Sequence, residues 1–299
     1  MNNPCITDRL DMEIATCFPK WRASTPVAIA SGLEATVFRA ETKLHGPLAL
    51  KVFINRWIQN DNDSGIDARD LLNQDYLTSK HLADHGVPAT KVIALHFGFI
   101  DFLAYSFVET DSGPLSSLEI GRVLRQLHAL EPPSFVPVAH RGRPQFQGVA
   151  ADLIASRIAV VRQKAGENLP ILSRGDLEES LALGSSQRRY LHMDVRPENL
   201  LCRNGQIKAL IDWSNAIVAH PIFEFARMAE YGLDMEQVVA GYGSNPLAQV
   251  PLATATAARI YTAAMLAVVH LSEAPDPQQS DIAVARLKAL MTQFLEERP

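Results

Sequence analysis

Leu191–Trp213, LHMDVRPENLLCRNGQIKALIDW, is the stretch whose reading decides the fold. Asn204-Gly205 is a strong two-residue hairpin signal, predicting strands at about 200–203 and 206–211. Asp194 and Asn199 lie in the loop before the first strand, and Asp212 lies where the second runs out. A tight hairpin would therefore bring two carboxylates and an amide to one edge. A carboxylate and an amide are hard oxygen donors of the kind Mg²⁺ takes while keeping positions for water and phosphate oxygens. The remaining carboxylate is then free to act as a base.

Upstream, residues 26–53 read PVAIASGLEATVFRAETKLHGPLALKVF, short apolar and β-branched runs punctuated by Ser31-Gly32 and His45-Gly46-Pro47, which predict three antiparallel strands. From Ile66 the period becomes helical, with Leu71, Asp75, Thr78 and Leu82 on one stripe and Gly86 as the stop. Lys91–Leu95 and Phe102–Val108 read as two more strands, which gives a small α+β lobe of five antiparallel strands and one helix over residues 1–109. Thr110-Asp111-Ser112-Gly113-Pro114 is turn composition and is taken as the hinge; Ser116-x-x-Glu119 reads as a capping box opening the next helix. Residues 131–150 are rich in Pro and Gly and read as a long loop, with helical patterns from Asp152 to Lys164 and from about Leu233 onward. Residues 110–299 are thus expected to form a larger, mainly helical lobe.

Composition bounds the partners. Hydrophobic residues make up 47% and charged residues 20% of the 299, which is globular. The 28 Lys and Arg against 33 Asp and Glu leave a net charge of −5, the wrong sign for a broad nucleic-acid surface. Cys5, Cys17 and Cys202 have no metal or redox spacing and suit a reducing, cytoplasmic setting, and Asp8, Asp11 and Glu13 stand where an export signal would be basic and apolar. The most apolar run, Ala263–Leu271, reads as a buried helix too short to span a bilayer, so no membrane partner is expected.

His192-x-Asp194 with Asn199 five residues later, then Asp212 at the end of a short hairpin, resembles the catalytic loop and metal-binding strand of the kinase superfamily. Ile211-Asp212-Trp213 followed by Ala216, Pro221 and Glu224-Phe225-Ala226 is similar to the aminoglycoside phosphotransferase and choline kinase branch, which phosphorylates small molecules. The resemblance runs from about Ser31 to Met228, and it implies a bilobal protein-kinase-like fold. It implies that Asp194 accepts the proton of the acceptor hydroxyl, that Asn199 and Asp212 hold Mg²⁺, and that His192 is structural. Lys51, on the third strand, would contact the ATP phosphates and pair with an acid of the following helix, Asp75 or, as the alternative, Asp70. Ser31 and Gly32 begin a short cover, to Thr36, over the triphosphate; the backbone of Phe107, Val108 and Glu109 would meet adenine. Arg196 stands where a cation reaches the γ-phosphate. Two departures are Glu224 in place of the usual Asp and Ala219-His220 in place of Gly-Asp.

The expected activity is transfer of the γ-phosphoryl group of a nucleoside triphosphate to a hydroxyl of a small molecule. Residues 237–272 contain no acid and the 131–150 loop offers His140, Arg141 and Arg143 against Glu131 alone, so the acceptor is expected to be neutral or anionic. The rival readings are a catalytically silent nucleotide-binding module, which would have lost the base or a metal ligand, and an aminoglycoside or protein kinase. Oligomeric state is left open by the sequence.

Overall fold

The computed structural model describes residues 5–111, 113–182 and 187–298, and the chain divides into two compact units. The first holds the described residues up to Ile58 with Gly65–Gly113 and Leu200–Ser214; the second holds Gln59–Ser64, Pro114–Asn199 and the described residues from Asn215. The 200–214 hairpin therefore clusters with the first unit rather than with the rest of 110–299. Its backbone explains why: Leu210 N–H donates to Pro88 O at 3.1 Å, Asp111 N–H donates to Cys202 O at 3.1 Å, and Asp111 Oδ2 accepts Asn204 N–H at 2.7 Å. Of the expected hinge, Ser112 lies outside the described residues.

The first unit begins with helix α1 (Ile6–Cys17), followed by strands β1 (Val27–Ser31), β2 (Ala35–Thr42) and β3 (Gly46–Phe53). A short pair, β4 (Trp57–Gln59) and β5 (Ser64–Asp67), follows, which the sequence did not signal. Helix α2 (Ala68–Asp84) then leads to β6 (Val92–His96) and β7 (Phe102–Ser106). The antiparallel sheet has the order β1-β2-β3-β7-β6. Strand alternation divides its residues between two faces. Phe38, Leu48, Leu50, Val52, Phe102 and Ala104 pack with Leu10 and Ile14 of α1 and with Trp21. Leu103 and Tyr105 pack with Leu72 of α2. Lys51 lies between Leu50 and Val52, and the period of two turns it to the α2 side. Asp67 caps α2 by accepting Arg69 N–H at 2.9 Å, and past its end Gly86 takes a φ of 72°, which lets Val87 N–H return to Leu82 O at 3.1 Å.

The second unit is mainly helical: α3 (Ser117–Ala129), α4 (Gln147–Ala165), α5 (Arg174–Ala182), α6 (Ile222–Glu230), α7 (Met235–Tyr242), α8 (Leu252–Val268) and α9 (Pro277–Glu297). The capping box is not closed: Ser116 precedes α3 with no side-chain bond to it, and Glu119 lies 3.8 Å from Arg122 instead. α4 begins at Gln147, so the end of the Pro/Gly-rich stretch is helical. α3 and α7 cross at Gly121 and Gly241, where an added Cβ would run into the other helix's backbone. The core gathers α4, α6, α8 and α9 around Phe146, Ile154, Phe223, Tyr261 and Phe294. α8 runs on through a π-helical turn, Val269–Glu273, and this 22-residue helix is long and apolar enough to cross a membrane, contrary to the length expected from Ala263–Leu271. With 67% of its apolar window buried, it is occupied as a core helix.

Candidate functional site

In the first unit the strand period, the α2 stripe and the hairpin end converge on Lys51. Its Nζ donates to Asp75 Oδ2 at 2.8 Å and to Asp212 Oδ1 at 2.9 Å, with Ser214 Oγ at 3.4 Å. The acid of α2 is thus Asp75, not Asp70. Lys51 is 7% and Asp75 1% exposed. Burial disfavours the Lys51 ammonium, but the charges of Asp212 and Asp75 outweigh it and hold its pKa above the ordinary lysine value. Tyr105, whose phenol meets Asp75, has its pKa pushed up by burial and by that carboxylate. Gln74 Nε2 donates to Trp213 O at 2.5 Å, which ties the end of the hairpin to α2 one residue from Asp75. Asp212 itself has a φ of 66°. This left-handed conformation costs about 1–2 kcal/mol for a non-glycine residue, and Lys51 together with Ser214 Oγ, 2.7 Å from Asp212 Oδ1, holds it in place.

In the second unit the loop from His192 to Asn199 is built around Asp194, which is 4% exposed. Oδ2 accepts Asn199 Nδ2 at 2.8 Å and lies 3.3 Å from Arg196 Nε; Oδ1 accepts Tyr231 Oη at 2.9 Å and lies 3.6 Å from an Arg227 Nη. Asn199 Nδ2 also donates to Asp194 O at 2.9 Å, which leaves the amide oxygen as the atom that can meet a cation. Arg196 is half exposed and faces the carboxylate directly. His192 is fully buried and accepts Asp194 N–H on Nδ1 at 3.1 Å, a structural role. Met193 between them takes a φ of 62°.

Glu224 holds this loop from below. Its Oε2 accepts His192 N–H at 2.8 Å and its Oε1 accepts Met193 N–H at 2.6 Å, with His128 Nε2 at 3.3 Å. Burial works to raise the Glu224 pKa, but the hydrogen bond and electrostatic pull of the His128 side chain and the backbone donor of His192 bring it below the ordinary value. The longer Glu thus supports the loop in place of the Asp expected there. Arg227 and Tyr231 were not singled out by the sequence reading. Glu224, Arg227 and Tyr231 follow each other at three and four residues along α6 and its end, so one helix face meets the loop. Arg227 Nε donates to Tyr231 Oη at 2.9 Å. Burial disfavours the Arg227 charge, and Tyr231 and Asp194 more than compensate. The signal available was a set of polar residues at helical spacing in a segment whose other residues, Glu230 apart, are apolar.

The remaining expected residues lie at strand ends of the first unit. Ser31 closes β1, with its Oγ 3.3 Å from Thr36 Oγ1, and Gly32 N–H donates to Ala35 O at 2.9 Å. A Cβ on Gly32 would meet Ala35 O at an ordinary 3.8 Å, so this turn does not itself demand glycine. Phe107 N–H is committed to Pro47 O at 2.9 Å, which removes that amide from the expected adenine contacts. The Phe107 ring lies under Arg39, which also reaches Glu109 at 3.5 Å.

Comparison with known proteins agrees with this arrangement. No curated protein is a significant sequence match. A putative fructosamine-3-kinase from Haemophilus somnus 129PT superposes with a TM-score of 0.69 at 11% identity, over 96% of this chain and 96% of that one. A macrolide 2'-phosphotransferase type I gives 0.55 at 15% identity, over 96% and 99%. A thermostable mutant of an aminoglycoside phosphotransferase, in ternary complex with AMP-PNP and hygromycin B, gives 0.58 at 14%, over 95% and 97%. At such identities the likeness is one of fold, and that fold is the bilobal protein-kinase-like one. The family's own sequence profile matches residues 25–248, three quarters of the chain and all of the site residues named in the two clusters above, and on that ground the chain belongs to the phosphotransferase enzyme family.

Proposed function

We propose that this phosphotransferase moves the γ-phosphoryl group of ATP to a hydroxyl of a small molecule that is neutral or anionic. The observation that carries the reading is the carboxylate of Asp194, buried yet oriented by four partners. In the step proposed, the acceptor oxygen attacks the γ-phosphorus as Asp194 takes the hydroxyl proton; the bond from that phosphorus to the bridging oxygen breaks and ADP leaves. Lys51, held by Asp75, contacts the phosphates, with Ser31 and Gly32 over them and the backbone of Val108 and Glu109 along adenine. Arg196 meets the charge that grows on the transferring group. The related aminoglycoside phosphotransferase bound to AMP-PNP supports an adenine nucleotide as donor. The oxygen donors of Asn199 and Asp212 fit Mg²⁺, and we assign them to it; when bound, the ion neutralises phosphate charge.

The acceptor class rests on charge. Of the acids just before the acid-free 237–272 segment, Glu230 is engaged by Arg259 at 2.6 Å and Arg286 at 2.9 Å, and Asp234 caps α7 through Gln237 N–H at 3.2 Å. These two carboxylates are committed within the chain, so of the three acids before that segment a polyamine would have Glu236, exposed in the first turn of α7, to pair with. Asp194→Asn keeps the shape and loses the base, so it is expected to lower phosphoryl transfer by about 10²–10⁴-fold while ATP still binds. Near-normal turnover by this variant would overturn the mechanism.

A further inference from the structure

A cavity of about 260 Å³ opens in the second unit beside the Asp194 loop. Its wall includes Tyr231, whose hydroxyl is 2.9 Å from Asp194 Oδ1. Leu266 and Ala263 of α8 and Ile282 and Ala283 of α9 line it with apolar surface, and His270 and Arg286 bring polar groups to it. His270 belongs to the π-helical turn Val269–Glu273, a rare distortion that is frequent at functional sites. That turn is held from the 59–64 segment, where Asn62 N–H donates to Glu273 Oε1 at 2.9 Å and Asn62 Nδ2 to Met265 O at 3.3 Å.

The charge of the cavity is set by an odd set of three. Glu230, the one acid among its lining residues, has a side chain 5% exposed and receives both Arg259, at 2.6 Å, and Arg286, at 2.9 and 3.1 Å. Two guanidinium groups against one carboxylate leave one positive charge. Arg286, 38% exposed and a lining residue, brings it to the cavity, with its Nε and one Nη serving Glu230. The volume lies below the range of about 300–1,000 Å³ typical of drug-sized ligands, which favours a compact occupant over a multi-ring one.

The geometry points to this cavity as the acceptor subsite, and to a compact hydroxy compound bearing a carboxylate, such as a short-chain hydroxy acid, as its ligand; this rests on the phosphotransfer reading above. The carboxylate pairs with Arg286, the aliphatic stem lies on Ala263, Leu266, Ile282 and Ala283, and the hydroxyl is directed to the Tyr231 and Asp194 side. An amino alcohol in the same place would set its ammonium against the surplus guanidinium.

The test is calorimetric titration of the whole chain with glycerate, glycerol and ethanolamine, with AMP-PNP titrated in parallel and ADP release measured with each acceptor. Glycerate is expected to bind about ten- to a hundred-fold more tightly than glycerol, the contribution of one charge-assisted pair, and ethanolamine more weakly than both. Arg286→Gln is expected to remove that preference. Ile282→Glu, at an exposed position, should do the same by repulsion without touching Glu230, so it decides the matter if the first variant is unstable. Preference for ethanolamine, absence of glycerate binding, or unchanged glycerate affinity in Ile282→Glu would overturn the assignment. If AMP-PNP still binds and a non-anionic alcohol still yields ADP, only the acceptor assignment falls; loss of ADP release with every alcohol strikes the phosphotransfer reading itself.

Discussion

Glu224→Gln is the substitution whose consequence the structure specifies most closely. The carboxylate has an oxygen for each of two neighbouring backbone donors, Met193 N–H at 2.6 Å and His192 N–H at 2.8 Å, inside a site 1% exposed. Glutamine has one oxygen, and its NH₂ must face the other donor. The variant thus loses one charge-assisted bond, about 1.5–3 kcal/mol, and leaves a buried N–H unpaired, about 1–3 kcal/mol. Partial relaxation makes about 3–5 kcal/mol the expected loss. Met193, with a φ of 62°, is the strained residue that the two bonds restrain, so its turn is where relaxation starts, and Asp194 is the next residue. Urea unfolding followed by circular dichroism should show the midpoint fall, and kcat should drop more than the KM for ATP rises. The sign of the pH dependence follows from the depressed Glu224 pKa: its stabilisation is complete above the ordinary value of 4.5 and is lost as pH falls through the lower folded value. The gap between wild type and variant should therefore be widest near neutrality and close in acid. A loss under about 1 kcal/mol with unchanged kcat would refute the argument.

Asp75→Asn should destabilise the first unit by about 3 kcal/mol, the low end for removing one partner of a buried ion pair, because Asp212 remains 2.9 Å from Lys51; an unchanged melting temperature would count against it. Gly121→Ala should lower the melting temperature despite alanine's advantage of about 1 kcal/mol in a helix, since the new Cβ falls on Val238 O and lies 2.7 Å from Tyr242 N, backbone atoms that cannot rotate away. His140 accepts Val218 N–H on Nε2 at 2.9 Å and donates from Nδ1 to Arg143 O at 3.0 Å, and burial pulls its pKa down to about 4. Its neutral form is thus the one that folds: stability should be complete above pH 6.5 and decline by about 1.4 kcal/mol per pH unit from this group between 6.5 and 4, a slope that His140→Gln should remove. An unaltered slope in that variant would place the pH dependence elsewhere.

Much of the first unit is legible because its signals are local. Asn204 and Gly205 take φ values of 54° and 70°, the pair a two-residue hairpin requires, and the register Gln206↔Arg203 follows from them. The pairing of Lys51 with Asp75 is legible from two periods, two on the strand and three to four on the helix. The 57–67 strand pair escaped because neither Trp57–Gln59 nor Ser64–Asp67 alternates over enough residues to stand out. Ser116 and Glu119 carry the letters of a capping box, yet letters do not specify rotamers, and Glu119 turns toward Arg122. The amide of Phe107 was unreadable for another reason: its partner, Pro47 O, belongs to a strand sixty residues away.

The α6 face shows what a sequence conceals when one residue serves two neighbours. Glu224 and Arg227 look like a charged pair on a surface helix, since opposite charges three residues apart commonly solvate an exposed face. Both are buried, and neither is paired with the other: Glu224 takes the backbone of His192 and Met193, while Arg227 takes Tyr231 and, at longer range, Asp194. Each would be costly alone in that interior, so the loop and the helix form only together. Tyr231 extends the same coupling outward, for its hydroxyl meets Asp194 and the residue before it, Glu230, binds Arg259 and Arg286 of α8 and α9. A change at Arg286 thus reaches the carboxylate of Asp194 through two adjacent residues. Binding and turnover should consequently respond together to substitutions along this line, whereas those in the Lys51 cluster should alter turnover with acceptor affinity unchanged.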